Sequence, residues 1–287
     1  MNSPSDSLNV ITLVHGRRAQ LRNLLLGLER SGLTPDAVWV VFMNEAPEPL
    51  RSSRFPIHSL RVDGGSGLPL AKARNQIARG KLSDRWVFLD IDCIPSGDLL
   101  HRYAAAFDAN PEALHLGEVL YLPKGANHEG WTESDLQAHA AIHPLAELRP
   151  APGEPMPHHL FWSLNFACTG ATFERIGGFD EGYEGYGAED TDFAFRARDK
   201  GVPLLATNAL SYHQYHPTYR PPLNHFDAII ANASRFHDRW KIWPMDGWLQ
   251  AFADRKLIQW APDAITVLRR PTAQEVEGCF DEALKGF

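Results

Sequence analysis

The 287-residue chain carries 28 Lys and Arg against 35 Asp and Glu, a formal net charge of −7, and 44% of its residues are hydrophobic. That length and apolar content suffice for a substantial buried core, while the acidic balance excludes a general nucleic-acid binder, which needs a concentrated basic surface. No apolar run approaches the ~20 residues of a membrane-spanning helix. The stretch Met1–Leu8 is polar and short of basic residues, and Cys93, Cys168 and Cys279 are odd in number and far apart, so reduced thiols in a cytoplasmic protein are expected, with peripheral membrane association open.

The β-branched run Val10–Val14 stops at His15-Gly16 and reads as a buried strand. Leu21, Leu24, Leu25 and Leu28 follow at helical spacing up to Gly32, and Val38–Phe42 is a second apolar run, which completes a βαβ start. Leu70–Arg79 reads as a helix and Trp86–Leu89 as the next buried strand. The alternation predicts an α/β fold with a mostly parallel central sheet flanked by helices. Ligands of such sheets collect at the carboxyl ends of the strands, where His15-Gly16-Arg17-Arg18, Asn44-Glu45 and Asp90-Ile91-Asp92 fall. The segment His143–His159, with five prolines, suits a loop, either a mobile lid or a surface crossing. From Ile229 to Trp240 the pattern is helical again, and Trp243–Leu249 reads as an aromatic packing element.

Three constellations carry chemistry. Asp90 and Asp92 leave a buried strand two residues apart; hard carboxylate oxygens there suit Mn²⁺ or Mg²⁺ on a diphosphate, although loop capping before Pro95 explains them too. Gly177-Gly178-Phe179-Asp180 leads to Tyr186-Gly187-Ala188-Glu189-Asp190-Thr191-Asp192 at the start of a helix that stops at Gly201. The dipole favours acids at that position, yet three acids behind a glycine-aromatic lead-in also suit a base for a hydroxyl group. His213 and His216 could complete a metal site begun by the aspartates, or could be packing residues.

Together these residues resemble the beta-1,4-galactosyltransferase-like branch of the GT-A glycosyltransferases, which grades into glycosyltransferase family 2. The resemblance runs from about Val10 to His216. Val14–Arg18, Asn44-Glu45 and Lys72-Ala73-Arg74-Asn75 look like the family's nucleotide-contacting segments, and Phe88–Pro95 like its Asp-x-Asp segment. Tyr186–Asp192 looks like its Trp-Gly-Gly-Glu-Asp-Asp-Asp motif, with Tyr, Ala and Thr in place of Trp, Gly and the middle Asp. The resemblance implies a GT-A fold over 1–220, with a nucleotide-binding half at about 8–100 and an acceptor half at about 101–220, followed by a C-terminal helical extension over 221–287. It implies Asp190 as catalytic base with Glu189 beside it, and His15, Arg17, Asn44, Glu45, Lys72, Asn75, Asp90 and Ile91 at the nucleotide. Asp92 with His213 or His216 would hold the metal, and Tyr186, Gly187 and Trp162 would meet the acceptor. The expected activity is metal-dependent transfer of a sugar from a nucleotide diphosphate sugar, with UDP the family's usual nucleotide, to a hydroxyl of a saccharide, glycolipid or other acceptor with inversion. A non-catalytic nucleotide-sugar or glycan-binding protein and a metal-dependent phosphohydrolase are the alternatives.

Overall fold

A computed structural model of the protein describes residues 7–65, 67–81 and 84–282. Expectations for residues 1–6 and for the end of the C-terminal extension lie outside the described residues. The first strand β1 (Leu8–Val14), helix α1 (Arg18–Arg30), strand β2 (Ala37–Met43), strand β3 (Ile57–Val62), helix α2 (Leu70–Ala78) and strand β4 (Arg85–Leu89) form the first part of the central sheet and its flanking helices. β1 pairs in parallel with both β2 and β4, and β2 in parallel with β3. Side chains of these strands alternate between two cores because strand periodicity is two. Val10, Val14, Val38, Val40 and Phe42 pack with Leu21, Leu24 and Leu28 of α1. Ile11, Leu13, Val41 and Met43 face the other side, with Ala71, Ala73 and Ile77 of α2.

Short strand β5 (Cys93–Pro95), helix α3 (Leu99–Ala109), strand β6 (Leu114–Tyr121), helix α4 (Glu133–His139) and short strand β7 (Ala141–Ile142) follow. Strand β8 (Asn165–Thr169), helices α5 (Gly170–Ile176) and α6 (Glu189–Asp199), and strand β9 (Leu204–His213) complete the central sheet. Its order is β3-β2-β1-β4-β8-β6-β9-β5, with β7 on β6. The expected parallel sheet therefore carries an antiparallel strand in its middle, since β8 runs against both β4 and β6. The reason is where the chain enters. Asn165 pairs with Leu89, and the Asp90 N–H donates to Leu164 at 2.8 Å, so β8 begins beside the end of β4 and brings Trp162 and Ser163 to the carboxyl edge of the sheet. β9 ends at the same edge, where His213 pairs with Cys93.

β6 has a register shift between Leu116 and Glu118. Gly117 sits at the shift because a Cβ there would lie 2.3 Å from the Asn165 amide nitrogen. Asn165 patches the bulge, its amide donating to Glu118 and Ala209 carbonyls while its oxygen accepts from Tyr103. Such bulges interrupt the ladder and bend the strand.

α6 is fixed on the sheet by aromatic rings. Phe179 and Phe193 stack at 4.1 Å and Phe88 and Phe166 at 4.4 Å, with Phe161 and Phe173 filling the gaps. Pairs of this kind add about 0.5–1.5 kcal/mol each beyond their area burial. The Pro-rich segment is a crossing pinned along β9 in its second half: Gly153 and Met156 donate to Ala206 and Leu204, and Arg149 reaches the Leu116 and Thr207 carbonyls. Residues 221 onward are helical in their first half, with α7 (Phe226–Trp240) and α8 (Asp246–Asp254), then a strand pair Ile258–Trp260 with Ile265–Val267 and a short helix Ala273–Glu277. All three cysteines are buried free thiols. No helix among the described residues is long and apolar enough to cross a membrane.

Candidate active site

The end of β4 and the end of β9 bring Asp92, His213 and His216 together, each offering one ligand atom within 4.8 Å of the others. Asp92 is fully buried, and Gln214, between the two histidines, locks its backbone by donating its N–H to the Asp92 carbonyl at 2.6 Å. The Gln214 side chain accepts from Asn23 and Asn127, both at 2.8 Å, and its amide donates to Gln20. Asp92 Oδ1 and His213 Nδ1 are buried without a hydrogen-bond partner. His216 Nδ1 lies 3.1 Å from the Pro217 carbonyl, placed to donate to it, so the lone pair falls on Nε2, 3.6 Å from Asp92 Oδ2. Burial, with His216 and Arg17 adding, pushes His213 down to about 3 and so keeps it neutral. Burial also raises Asp92, against the nearby Arg17 guanidinium. Two neutral imidazoles and a carboxylate with an orphaned oxygen fit a divalent cation. Arg17, whose side chain ion-pairs with Asp92, is the cation at this position in the structure.

The acids of α6 divide by function. Asp192 is fully buried and faces away from the crevice, ion-pairing with Arg196 at 2.8 Å and Arg239 at 3.3 Å and accepting the Trp240 indole N–H at 2.9 Å. It ties α6 to α7. Glu189 and Asp190 face the sheet edge. Glu189 lies 3.4 Å from Arg74, which also donates to the Ser163 hydroxyl at 2.8 Å and lies over the Phe179 ring. Half-buried Asp190 accepts the Thr191 N–H at 2.7 Å. Burial raises both carboxyls, with Arg74 opposing. Ala188 precedes them at φ 70°, a left-handed conformation that costs an L-residue energy and that turns the chain into the helix.

The two groups of acids share one crevice. Tyr186, 41% exposed, feels both: its phenol is pushed up to about 12 by partial burial first, then by Glu189, Asp190 and Asp90, with Arg17 opposing. Its ring stacks on His225 at 4.5 Å and on Trp248 at 5.7 Å, so the C-terminal extension supplies part of the wall. Gly187, at φ 100°, admits Met245, whose sulfur would lie 2.6 Å from a Cβ there. Trp162 is 39% exposed and packs edge-on against His143.

The β1 and β2 loops do converge. His15 Nδ1 is 2.8 Å from the Met43 carbonyl, Gly16 N–H donates to Glu45, and Arg18 pairs with Glu45 at 2.9 Å. Asn44, itself left-handed, holds the next loop through Gly64 and Gly67, and Lys72 donates to the Asp63 carbonyl. Asn75 is placed otherwise: it is buried, exchanging hydrogen bonds with the Phe179 backbone and donating to Glu181, so it clamps the lead-in to the acidic motif. Ile91 is a core side chain whose carbonyl faces the Gln214 amide, and Asp90 is half-buried with Oδ1 accepting the Ile91 N–H. The sequence singles out neither Ser163 nor Gln214, and it offers Arg74 only within the Lys72–Asn75 segment, without a role of its own. Only Arg74 left a trace, as a charge on the otherwise buried face of α2.

Comparison with known proteins agrees with this architecture. Residues 146–220 match the family described as the N-terminal domain of galactosyltransferase. Validoxylamine A glucosyltransferases from two subspecies of Streptomyces hygroscopicus are each 33% identical over 81 residues, 28% of this chain, and the match covers only 19% and 18% of those relatives' lengths. Among solved structures, S. aureus TarS 1-349 has a TM-score of 0.52 at 16% identity, covering 81% of this chain and 66% of that one. GalNAc-T7 with UDP, GalNAc and Mn²⁺ has a TM-score of 0.53 at 16% identity, covering 88% and 55%. The chain thus has the GT-A fold. It is similar to glycosyltransferases of the galactosyltransferase kind, with the matched segment running from the Pro-rich crossing through the acidic motif to the two histidines.

Proposed function

We propose that this chain is a metal-dependent glycosyltransferase that moves a sugar from a nucleotide diphosphate donor, a UDP-sugar, to an acceptor hydroxyl with inversion. The observation that carries this is the Asp92-His213-His216 cluster at the carboxyl edge of a GT-A sheet, with Glu189 and Asp190 of α6 at the same edge and Tyr186 within electrostatic reach of both groups. The similarity of the fold to a structure holding UDP and Mn²⁺ supports the choice of donor and metal. When bound by Asp92 and the histidines, a divalent cation there would offset charge on the leaving diphosphate. Arg17 and Lys72 stand at the same edge to do the same. His15, Asn44, Glu45, Asp90 and the Ile91 backbone form the nucleotide side, while Asn75 acts through the turn it clamps. Asp190 accepts the acceptor's proton, and Arg74, 3.4 Å from Glu189, positions that second carboxyl beside it and opposes the burial that raises both. Tyr186, Gly187 and Trp162 form the acceptor side. Residues 1–220 would be the transferase unit and 221–287 an extension that completes its wall. Three free buried thiols support a cytoplasmic location.

Calorimetric titration of UDP with Mn²⁺, and again with excess chelator, tests the reading. Wild type should bind only with the metal and Asp92→Ala should not bind; chelator-insensitive binding removes the metal, and no nucleotide binding at all removes the donor site.

A further inference from the structure

An apolar cavity of about 90 Å³ lies between β6 and the Pro-rich crossing, lined by Leu116, Val119, Ile142, Leu145, Met156 and Leu164. It borders the β6 bulge, with Gly117 in its lining. The cavity is not isolated from the candidate active site. Tyr121 and His143, both in its wall, pack at 5.6 Å, and Tyr121 lies 5.0 Å from the His213 ring. Trp162, on the opposite side, packs on His143 at 5.0 Å and is followed by Ser163, whose hydroxyl holds Arg74 and whose backbone N–H faces Asp190. The mouth is apolar as well: Ile142 is 65% exposed and Leu145 43%. Arg149, whose guanidinium satisfies the Leu116 and Thr207 carbonyls, closes the inner end.

We infer that this cavity is an acceptor subsite for an apolar substituent carried next to the reacting hydroxyl, which rests on the glycosyl-transfer reading above. Continuity with Trp162 and Tyr121 places such a substituent beside the metal cluster and Asp190 while the hydroxyl stays in the crevice. A saccharide branch would bring many hydroxyls to a lining that is mostly Leu, Val, Ile and Met, where the few polar side chains, Glu118, Tyr121, His143 and Arg149, could pair only some of them, at a desolvation cost. The volume suits an alkyl chain of a few carbons or one small ring.

The probes are ethyl, butyl, hexyl and octyl β-glucosides, below micelle-forming concentrations, titrated into the full chain with ¹³C-methyl methionine labelling; Met156 Cε is the reporter. Affinity should rise about three- to fourfold per added methylene up to roughly six carbons and then level off. Ile142→Lys and Leu145→Glu, both at the exposed mouth, should each weaken octyl glucoside at least tenfold and leave Mn²⁺-supported UDP binding unchanged. No chain-length dependence, an unlimited rise without a plateau, or unchanged affinity in both variants overturns the subsite. UDP binding separates the two readings: alkyl glucoside binding without nucleotide binding keeps the cavity and removes the donor site, and the reverse keeps the donor site and removes the cavity.

Discussion

Asp190 and Asp192 are two positions apart on one helix and have opposite surroundings. Asp190 keeps a half-buried carboxyl toward the crevice, where Oδ1 accepts the Thr191 N–H at 2.7 Å and the Thr191 hydroxyl at 3.4 Å and the Ser163 N–H faces it, so it is held in place by neutral donors rather than by a paired cation. Replacing Asp190 by Asn keeps the shape and removes the base. Transfer should fall by ~100-fold or more while Mn²⁺-supported UDP affinity stays within twofold of wild type. Near-wild-type turnover in a radiolabelled sugar assay would move the base to Glu189. The metal ligands divide in the same residue-by-residue way: His213 is neutral by burial, and His216 is oriented by the Pro217 carbonyl, so each presents a lone pair by a different cause.

At the scale of elements, α6 is held from two sides. Phe193 and Phe179 seat it on the sheet, and Asp192 ties it to Arg239 and Trp240 of α7, near the contact of Phe195 with Phe236. Asp192→Ala would leave Arg196 and the Trp240 N–H without their buried acceptor. We expect a loss of about 3 kcal/mol in urea unfolding, with α6 released from α7 and tryptophan fluorescence altered through the Trp240 indole that loses its acceptor. A stability within 0.5 kcal/mol of wild type, a spread of roughly the size seen for neutral surface changes, would show that the ring contacts alone hold the two helices.

For the molecule as a whole, the central sheet carries an acid-sensitive group far from the site. His115 of β6 is 1% exposed, bonds the Asn110 carbonyl at 3.0 Å and meets Phe107 edge-on, and burial lowers it to about 4. Its folded pKa lies below its unfolded value, so this contribution to stability is complete above about pH 6.5 and is lost as the pH falls toward 4, about 3 kcal/mol in all. Between pH 6.5 and 5, wild type should lose about 2 kcal/mol more than His115→Gln in paired urea titrations; identical slopes would remove His115 as the cause. The sequence by itself determined the first half of this sheet, because the strands of β1, β2 and β4 are short continuous apolar runs separated by helical spacing and breakers. It also determined the residue types of the site, since Asp90 to Asp92, Glu189 to Asp192 and His213 to His216 stand out wherever the chain puts them. Only the tertiary structure decided which of these meet. β8 enters antiparallel beside the end of β4, β9 ends against Cys93, and α7 and α8 close over Tyr186, all through contacts between residues more than a hundred positions or several elements apart. Local spacing carries no information on such pairings, and for the same reason Asn75 could be read as a ligand contact when its amide is spent on Phe179, and Asp192 carried no role of its own when it is the anchor of the helix.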